Sequence, residues 1–107
     1  MSFATLMNTA VDVVRYTTTQ DAIGSQARTA TTVIESLPAR IEGLSGYERT
    51  MSGSTGVAVT HRMYCSVQSI YEADEIHEGS TVYEVQWVNN VAEHHLEIGL
   101  LERRPNR

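Results

Sequence analysis

The sequence predicts an all-β domain, a small barrel or sandwich of five or six strands, and three observations carry that prediction. β-branched and aromatic residues recur in short runs with apolar residues at every second position. Clusters of Gly, Ser, Thr, Asp and Asn punctuate those runs. Little of the chain carries a helical period. At 107 residues it forms a single domain, 1–107, with room for one core.

Taken in order, the chain can open with a short helix from Ser2 to Ala10, with Ser2 as N-cap. "VDVVRYT", Val11 to Thr17, is dominated by β-branched residues and reads as the first strand. "TTQDAIGSQART" then reads as a turn or mobile loop, because it holds Asp, Gly and Ser. Thr31–Leu44 reads as a long strand. Pro38 lies inside it and cannot donate a ladder hydrogen bond, so it marks an edge or a bulge. The run from Gly56 to Val67 places Val57, Val59, His61, Met63, Cys65 and Val67 on one face. "DEIHEGSTVYEVQWVNN" reads as a hairpin turning at Glu78-Gly79-Ser80, with Tyr83, Val85 and Trp87 on one face of its second arm. His95–Glu102 closes the pattern with Leu96, Ile98 and Leu100 inward, and 103–107 is a polar tail. The expected core is Val13, Ile34, Ile41, Val57, Val59, Met63, Ile76, Tyr83, Val85, Trp87, Leu96, Ile98 and Leu100.

One stretch breaks the rhythm. Between two strand-like runs lie Ser45, Gly46, Tyr47, Glu48, Arg49, Thr50, Met51, Ser52, Gly53, Ser54, Thr55 and Gly56. Neighbouring strands in a compact domain are usually joined by about 2–5 residues, and longer unstructured joints are functional or disordered. This projecting loop is therefore the candidate working part.

Little else points to chemistry. The net charge of −5 gives no basic footprint for nucleic acid. All eight basic residues are Arg. The single cysteine, Cys65, excludes an internal disulfide. No basic n-region or long apolar run indicates secretion or a membrane span. "GLSGY" lacks the G-x-S-x-G spacing of a nucleophile elbow. His61 and Cys65 share a strand face but stand about 13 Å apart along it. His94 and His95 are adjacent and point to opposite faces of a strand, so no metal site is expected and no cofactor is implied. The acidic run Glu72, Asp74, Glu75 and Glu78 beside His77 reads as a solvated turn. Arg and Tyr interleave at Arg15-Tyr16, at Tyr47 and Arg49, and at Arg62 and Tyr64, which reads as packing rather than base stacking. The chain is not expected to be an enzyme.

The succession of segments carries a resemblance. An apolar strand ends in Arg15 and is followed by a turn with Asp21 and Gly24. A stretch with Ala39, Ile41, Leu44, Ser45, Gly46 and Glu48 comes next, then Thr60-His61-Arg62 opening a strand. Asp74, Ile76, Gly79, Tyr83, Glu84 and Val85 complete the order. From about Val11 to Glu102 this resembles the head-closure, or stopper, family of head–tail joining proteins of tailed bacteriophages. The chain departs from the family pattern at Cys65-Ser66, where Arg-Tyr and Pro-Gly are common, at Ser80-Thr81, where an Arg often follows the glycine, and in its N-terminal extension, 1–10. The resemblance implies an SH3-like β-barrel in the virion, at the head–tail interface, made in the host cytoplasm. It implies a homo-oligomeric ring, six- or twelve-fold with twelve favoured, that closes the DNA channel after packaging. The implied partners are the portal or adaptor ring on the head side, tail proteins on the other side, and packaged DNA in non-specific proximity; no membrane is involved. A tail-completion or adaptor ring is the alternative within the same connector, and a monomeric SH3-like binding module is the rival outside it.

Overall fold

The structure, a computed structural model, describes residues 6–20, 22–44 and 59–103. The β-branched runs form six strands: β1 (Thr9–Gln20), β2 (Gln26–Gly43), β3 (His61–Cys65), β4 (Glu75–Glu78), β5 (Thr81–Val91) and β6 (His95–Glu102). All paired neighbours are antiparallel, and the sheet closes into a barrel in the order β1-β2-β3-β6-β5-β4, with β4 returning to β1. Among the described residues no helix is long and apolar enough to cross a membrane.

Alternation fills the barrel. Val11, Val13, Ala39, Met63, Cys65, Ile76, Tyr83, Val85, Leu96, Ile98 and Leu100 are buried together, with Ile34, Ile41 and Val88 packed against them. A fully buried Val, Leu, Ile or Met contributes about 1.5–3 kcal/mol relative to exposure, so this cluster is the main stabilising term. Val59 is also buried as expected, and Val57 lies outside the described residues. Trp87 departs from the expected core. Val85 pairs with Leu100 but Trp87 pairs with Gly99, so Gln86 is an extra residue in the ladder. That bulge reverses the alternation. Val88, opposite Ile98, turns inward, and Trp87 lies over Gly99 on the outer wall.

Bulges also shape β2. Val11 faces Leu37, Val13 faces Ile34 and Val14 faces Thr32, so β2 gains a residue twice against β1. Ser36 adopts a positive φ of 52°, and its N–H donates to Asp12 Oδ1 at 2.9 Å. Pro38 marks a local edge, as expected: β3 pairs with β2 only from Ala39, and the Ser36 bulge comes two residues earlier. The Ala39 carbonyl accepts from Asn8 N–H on the β1 side. By alternation the Pro38 nitrogen points the other way, beyond Cys65, where β3 ends. β3 stops there rather than at Val67, which is exposed.

Three further boundaries differ from expectation. Thr9 and Ala10 pair with Ala39 and Pro38 in β1, so no helix reaches Ala10. The stretch read as a turn after Thr17 is mostly strand. β1 and β2 run on as a two-stranded ribbon through Thr17↔Thr29, Thr18↔Arg28 and Thr19↔Ala27 to Gln20↔Gln26. Threonine is polar yet favours strand, so its run resembled a loop. Gly24 supplies the positive φ of 89° near the tip. The β4–β5 turn is as expected, with Gly79 at φ 58°. β2 alone has 18 residues, roughly 60 Å if fully extended, and the molecule measures 54 × 29 × 28 Å.

Candidate functional site

The Ser45–Gly56 loop lies outside the described residues. Its two stems do not. The β2–β3 ladder continues to Gly43↔His61, and Leu44 N–H donates to the Thr60 carbonyl at 3.0 Å. Thr60 N–H donates to the Leu100 carbonyl at 2.7 Å, and Thr60 Oγ1 accepts from Glu102 N–H at 2.8 Å. The threonine of the Thr60-His61-Arg62 segment thus ties the returning stem to β6. His61 is largely covered, its ring edge on to Tyr83 at 5.0 Å, its Nδ1 2.9 Å from Thr60 Oγ1 and its Nε2 3.8 Å from the Glu102 carboxylate. The loop therefore leaves a closed, pinned neck at the end of β2 opposite the ribbon tip.

A second polar centre sits at the base of the ribbon. Arg15 grips Asp74 with two hydrogen bonds, Nε to Oδ1 at 2.9 Å and Nη2 to Oδ2 at 2.8 Å. It also donates to the Ser69 carbonyl at 3.0 Å, and its guanidinium lies 4.8 Å over the Tyr71 ring. Asp74 further accepts from Tyr71 N–H at 2.9 Å. Next along β4, Glu75 Oε1 accepts from Tyr16 Oη at 3.1 Å and lies 2.9 Å from His77 Nε2. Its Oε2 is taken by Arg103, which also reaches Glu84 at 3.2 Å. Arg28, from the other ribbon strand, stacks over Tyr16 at 4.4 Å. A cleft of about 480 Å³, lined among others by Arg28, Glu75, Glu84 and Arg103, opens beside this network.

Two sequence readings are corrected here. The acidic run is a solvated turn only in part: Glu72 is exposed, but Asp74 and Glu75 are 3% and 4% exposed, because Arg15, Tyr16 and Arg103 cover them. Arg103 does not belong to a free tail, since its N–H also donates to the Val82 carbonyl at 2.8 Å. Sequence reasoning missed the network because the contacts that cover its carboxylates, Arg15 to Asp74, Tyr16 to Glu75 and Arg103 to Glu75, span 28 to 59 positions. The signal available was that Arg15 and Asp74 both belong to the ordered segments quoted above.

The electrostatics are those of a fastening. Burial alone would push the Glu75 carboxyl upward, but hydrogen bonds from His77, Arg103 and Tyr16 outweigh it and hold the group below the usual carboxylate range. The Asp74 hydrogen bonds raise Arg15 further above neutrality. Both Glu75 oxygens are engaged, which leaves it a poor proton acceptor. The Cys65 thiol is buried and pushed up to about 11 by desolvation, which suppresses the reactive thiolate.

One more expectation is overturned. His94 and His95 do not point apart. His94 precedes β6, in a turn where Ala92 and Glu93 have positive φ, and the two Nδ1 atoms face each other at 2.8 Å. They border an apolar cleft of about 390 Å³ with Leu6, Met7 and Tyr64. Among the described residues no group of three or more His, Cys, Asp or Glu could hold a metal ion.

No family model matches the chain, and no curated protein matches it. Among solved structures it is similar to the solution structure of protein SF1141 from Shigella flexneri 2a. The TM-score is 0.75 at 19% identity, over 95% of this chain and 96% of that one. At such identity the likeness is one of fold, and it supports the small β-barrel.

Proposed function

We propose that this protein is a structural virion subunit that forms a ring in the head-to-tail connector of a tailed bacteriophage. In this reading the ring closes the DNA channel after packaging and offers the surface on which the tail docks. The observation that carries it is the division of labour within β2. From Ala39 onward it pairs with β3 within the closed barrel, while Gln26 to Pro38 pair only with β1, and the first part of that run, Gln26 to Thr32, projects as an exposed ribbon. A closed barrel has no edge to offer, so contacts with other molecules fall to its faces and to the elements at its two ends. These are the ribbon at one end and the pinned neck of the Ser45–Gly56 loop at the other. A connector subunit needs two such ends, one toward the portal or adaptor ring and one toward the tail or the lumen.

Charge is consistent with a channel. A ring multiplies the net charge of −5 by its copy number, and a negative lumen repels phosphate, so DNA slides without adhering. The arrangement of charge in the ribbon base also suits a mechanical part, since its ion pairs connect elements rather than converge on a substrate.

Deletion of the gene from the phage that encodes it tests the reading. Expected are filled heads and free tails that fail to join, heads that lose DNA, and restoration by the wild-type chain. A deletion phage that still yields stable tailed particles would falsify the proposal. Localisation of the chain to the tail terminus alone would move it to the tail-completion role.

A further inference from the structure

We propose that the ribbon of one copy adds, strand to strand, to the ribbon of the next, so that the ring carries a continuous tube of ribbons. The inference rests on the connector reading and names the surface that would build its ring.

Both outer edges of the ribbon are open. β4 pairs with β1 only at Asp12–Val14, and β3 pairs with β2 only from Ala39 onward. Arg15 and Tyr16 are turned to the body through Asp74, Ser69 and Glu75, so the open β1 edge runs from Thr17 to Gln20. The β2 edge is open on the β3 side from Gln26 to Pro38, and the part of it that projects as ribbon, Gln26 to Thr32, ends at the first bulge. The projecting residues of both edges are all exposed.

Natural sheets guard such edges with Lys, Pro, bulges, inward charges or a covering segment. Along the projecting ribbon the two edges contain no Lys and no Pro, and the bulges and Pro38 come only beyond Thr32, toward the barrel. The residues are instead mostly Thr, Gln and Ala, and cross-strand Thr pairs support sheet formation. An isolated two-stranded ribbon is marginally stable in water, so an unguarded one of this length fits an element completed by a further strand.

Charge selects the partner edge. The β1 edge, Thr17–Gln20, is uncharged, whereas the β2 edge carries Arg28. Pairing β2 with β2 across a two-fold axis would set arginine near arginine. Pairing β2 of one copy with β1 of the next places Arg28 against threonine and glutamine. That contact is heterologous, and repeated by rotation it closes a ring. If the axis lies along the ribbons, every β1 runs in one direction and every β2 in the other. The inter-copy pairs are then antiparallel throughout, like those within each copy.

The test complements the gene-deleted phage with two variants. Thr19→Lys/Thr29→Lys places a charged side chain on each open edge; Thr19→Gln/Thr29→Gln is the neutral control. Both should keep the barrel, checked by the methyl spectrum of Met63, Ile76 and Ile98. The lysine variant should be lost from particles and the glutamine variant retained. A folded lysine variant incorporated at wild-type copy number overturns the contact. So does a particle reconstruction in which wild-type ribbons stand apart within an intact ring, and that result leaves the connector reading in place. Absence of the wild-type chain from purified particles removes both.

Discussion

Glu75 projects from the outer wall of the barrel, opposite Val14 on one side and Glu84 on the other, yet it is almost fully covered. Its position explains how a carboxylate can sit there: Tyr16, His77 and Arg103 arrive from three different segments and occupy both oxygens. Because its folded pKa lies below the unfolded one, the group stabilises the fold fully above the unfolded value. That contribution disappears as pH falls through the folded pKa. Glu75→Gln should therefore lower stability at neutral pH by about 1–3 kcal/mol, the usual cost of leaving buried partners unsatisfied. It should also flatten the fall in stability as pH drops below the ordinary carboxylate range. Urea denaturation across that range measures both, and parallel curves for the two proteins would remove Glu75 as a stabilising anion. Gly99 makes a different demand. An added Cβ would collide with the Trp87 indole at Nε1, Cε2 and Cδ1. Gly99→Ala should displace the single tryptophan, shift its fluorescence toward that of solvated indole and cost about 1–3 kcal/mol. An unchanged emission spectrum would contradict the outer-wall placement.

The two longest strands, β1 and β2, are each part body and part projection. β2 is the clearest case: two bulges and Pro38 separate the half sealed into the barrel from the half in the ribbon. The loop that follows it returns to a neck fixed by Leu44, Thr60, Leu100 and Glu102. Since that neck holds without the loop, deleting Thr50–Thr55 should leave the barrel intact. Loop length costs only about 0.6 kcal/mol per doubling, so the midpoint of thermal unfolding should barely move. A variant that fails to unfold cooperatively would show that the segment belongs to the core. On the connector reading, the same deletion should let heads leak genome before a tail attaches, scored as nuclease-protected DNA in tailless particles. The ribbon is legible in the sequence only afterwards. Thr17–Thr19 and Thr29–Thr32 have strand propensity, but a ribbon outside the barrel buries no alternating face, so it lacks the period that exposes a strand.

For the whole molecule, burial is concentrated at one end of the long axis. Amide exchange should follow it: the inner positions of β1 and β6, around Val13 and Ile98, should be protected to near the global unfolding free energy. The ribbon amides from Thr17 to Gln20 and from Gln26 to Thr32 should exchange far sooner in the free subunit, because few apolar contacts hold them. If copies add strand to strand as proposed, these amides should slow in the ring, because the outer edges are then satisfied. Equal protection in barrel and ribbon of the free subunit would mean that the ribbon folds as part of the core.

The sequence by itself determined the all-β class, the inward faces of β3, β4 and β6, the β4–β5 turn at Gly79 and most of the core. Those features depend on neighbours a few positions away, and alternation and turn chemistry report them directly. Tertiary structure alone decided the closure of the barrel, the outward turn of Trp87, the convergence of His94 and His95, and the network of Arg15, Asp74, Glu75 and Arg103. A single inserted residue, Gln86, reverses every side chain after it, and no local pattern marks the insertion. The network likewise depends on which strands become neighbours when the sheet closes: Asp74 and Glu75 read as solvent-facing acids until β4 is set between β1 and β5. Pairing across the barrel brings cations from distant segments over them, and that decides that these carboxylates are buried fasteners.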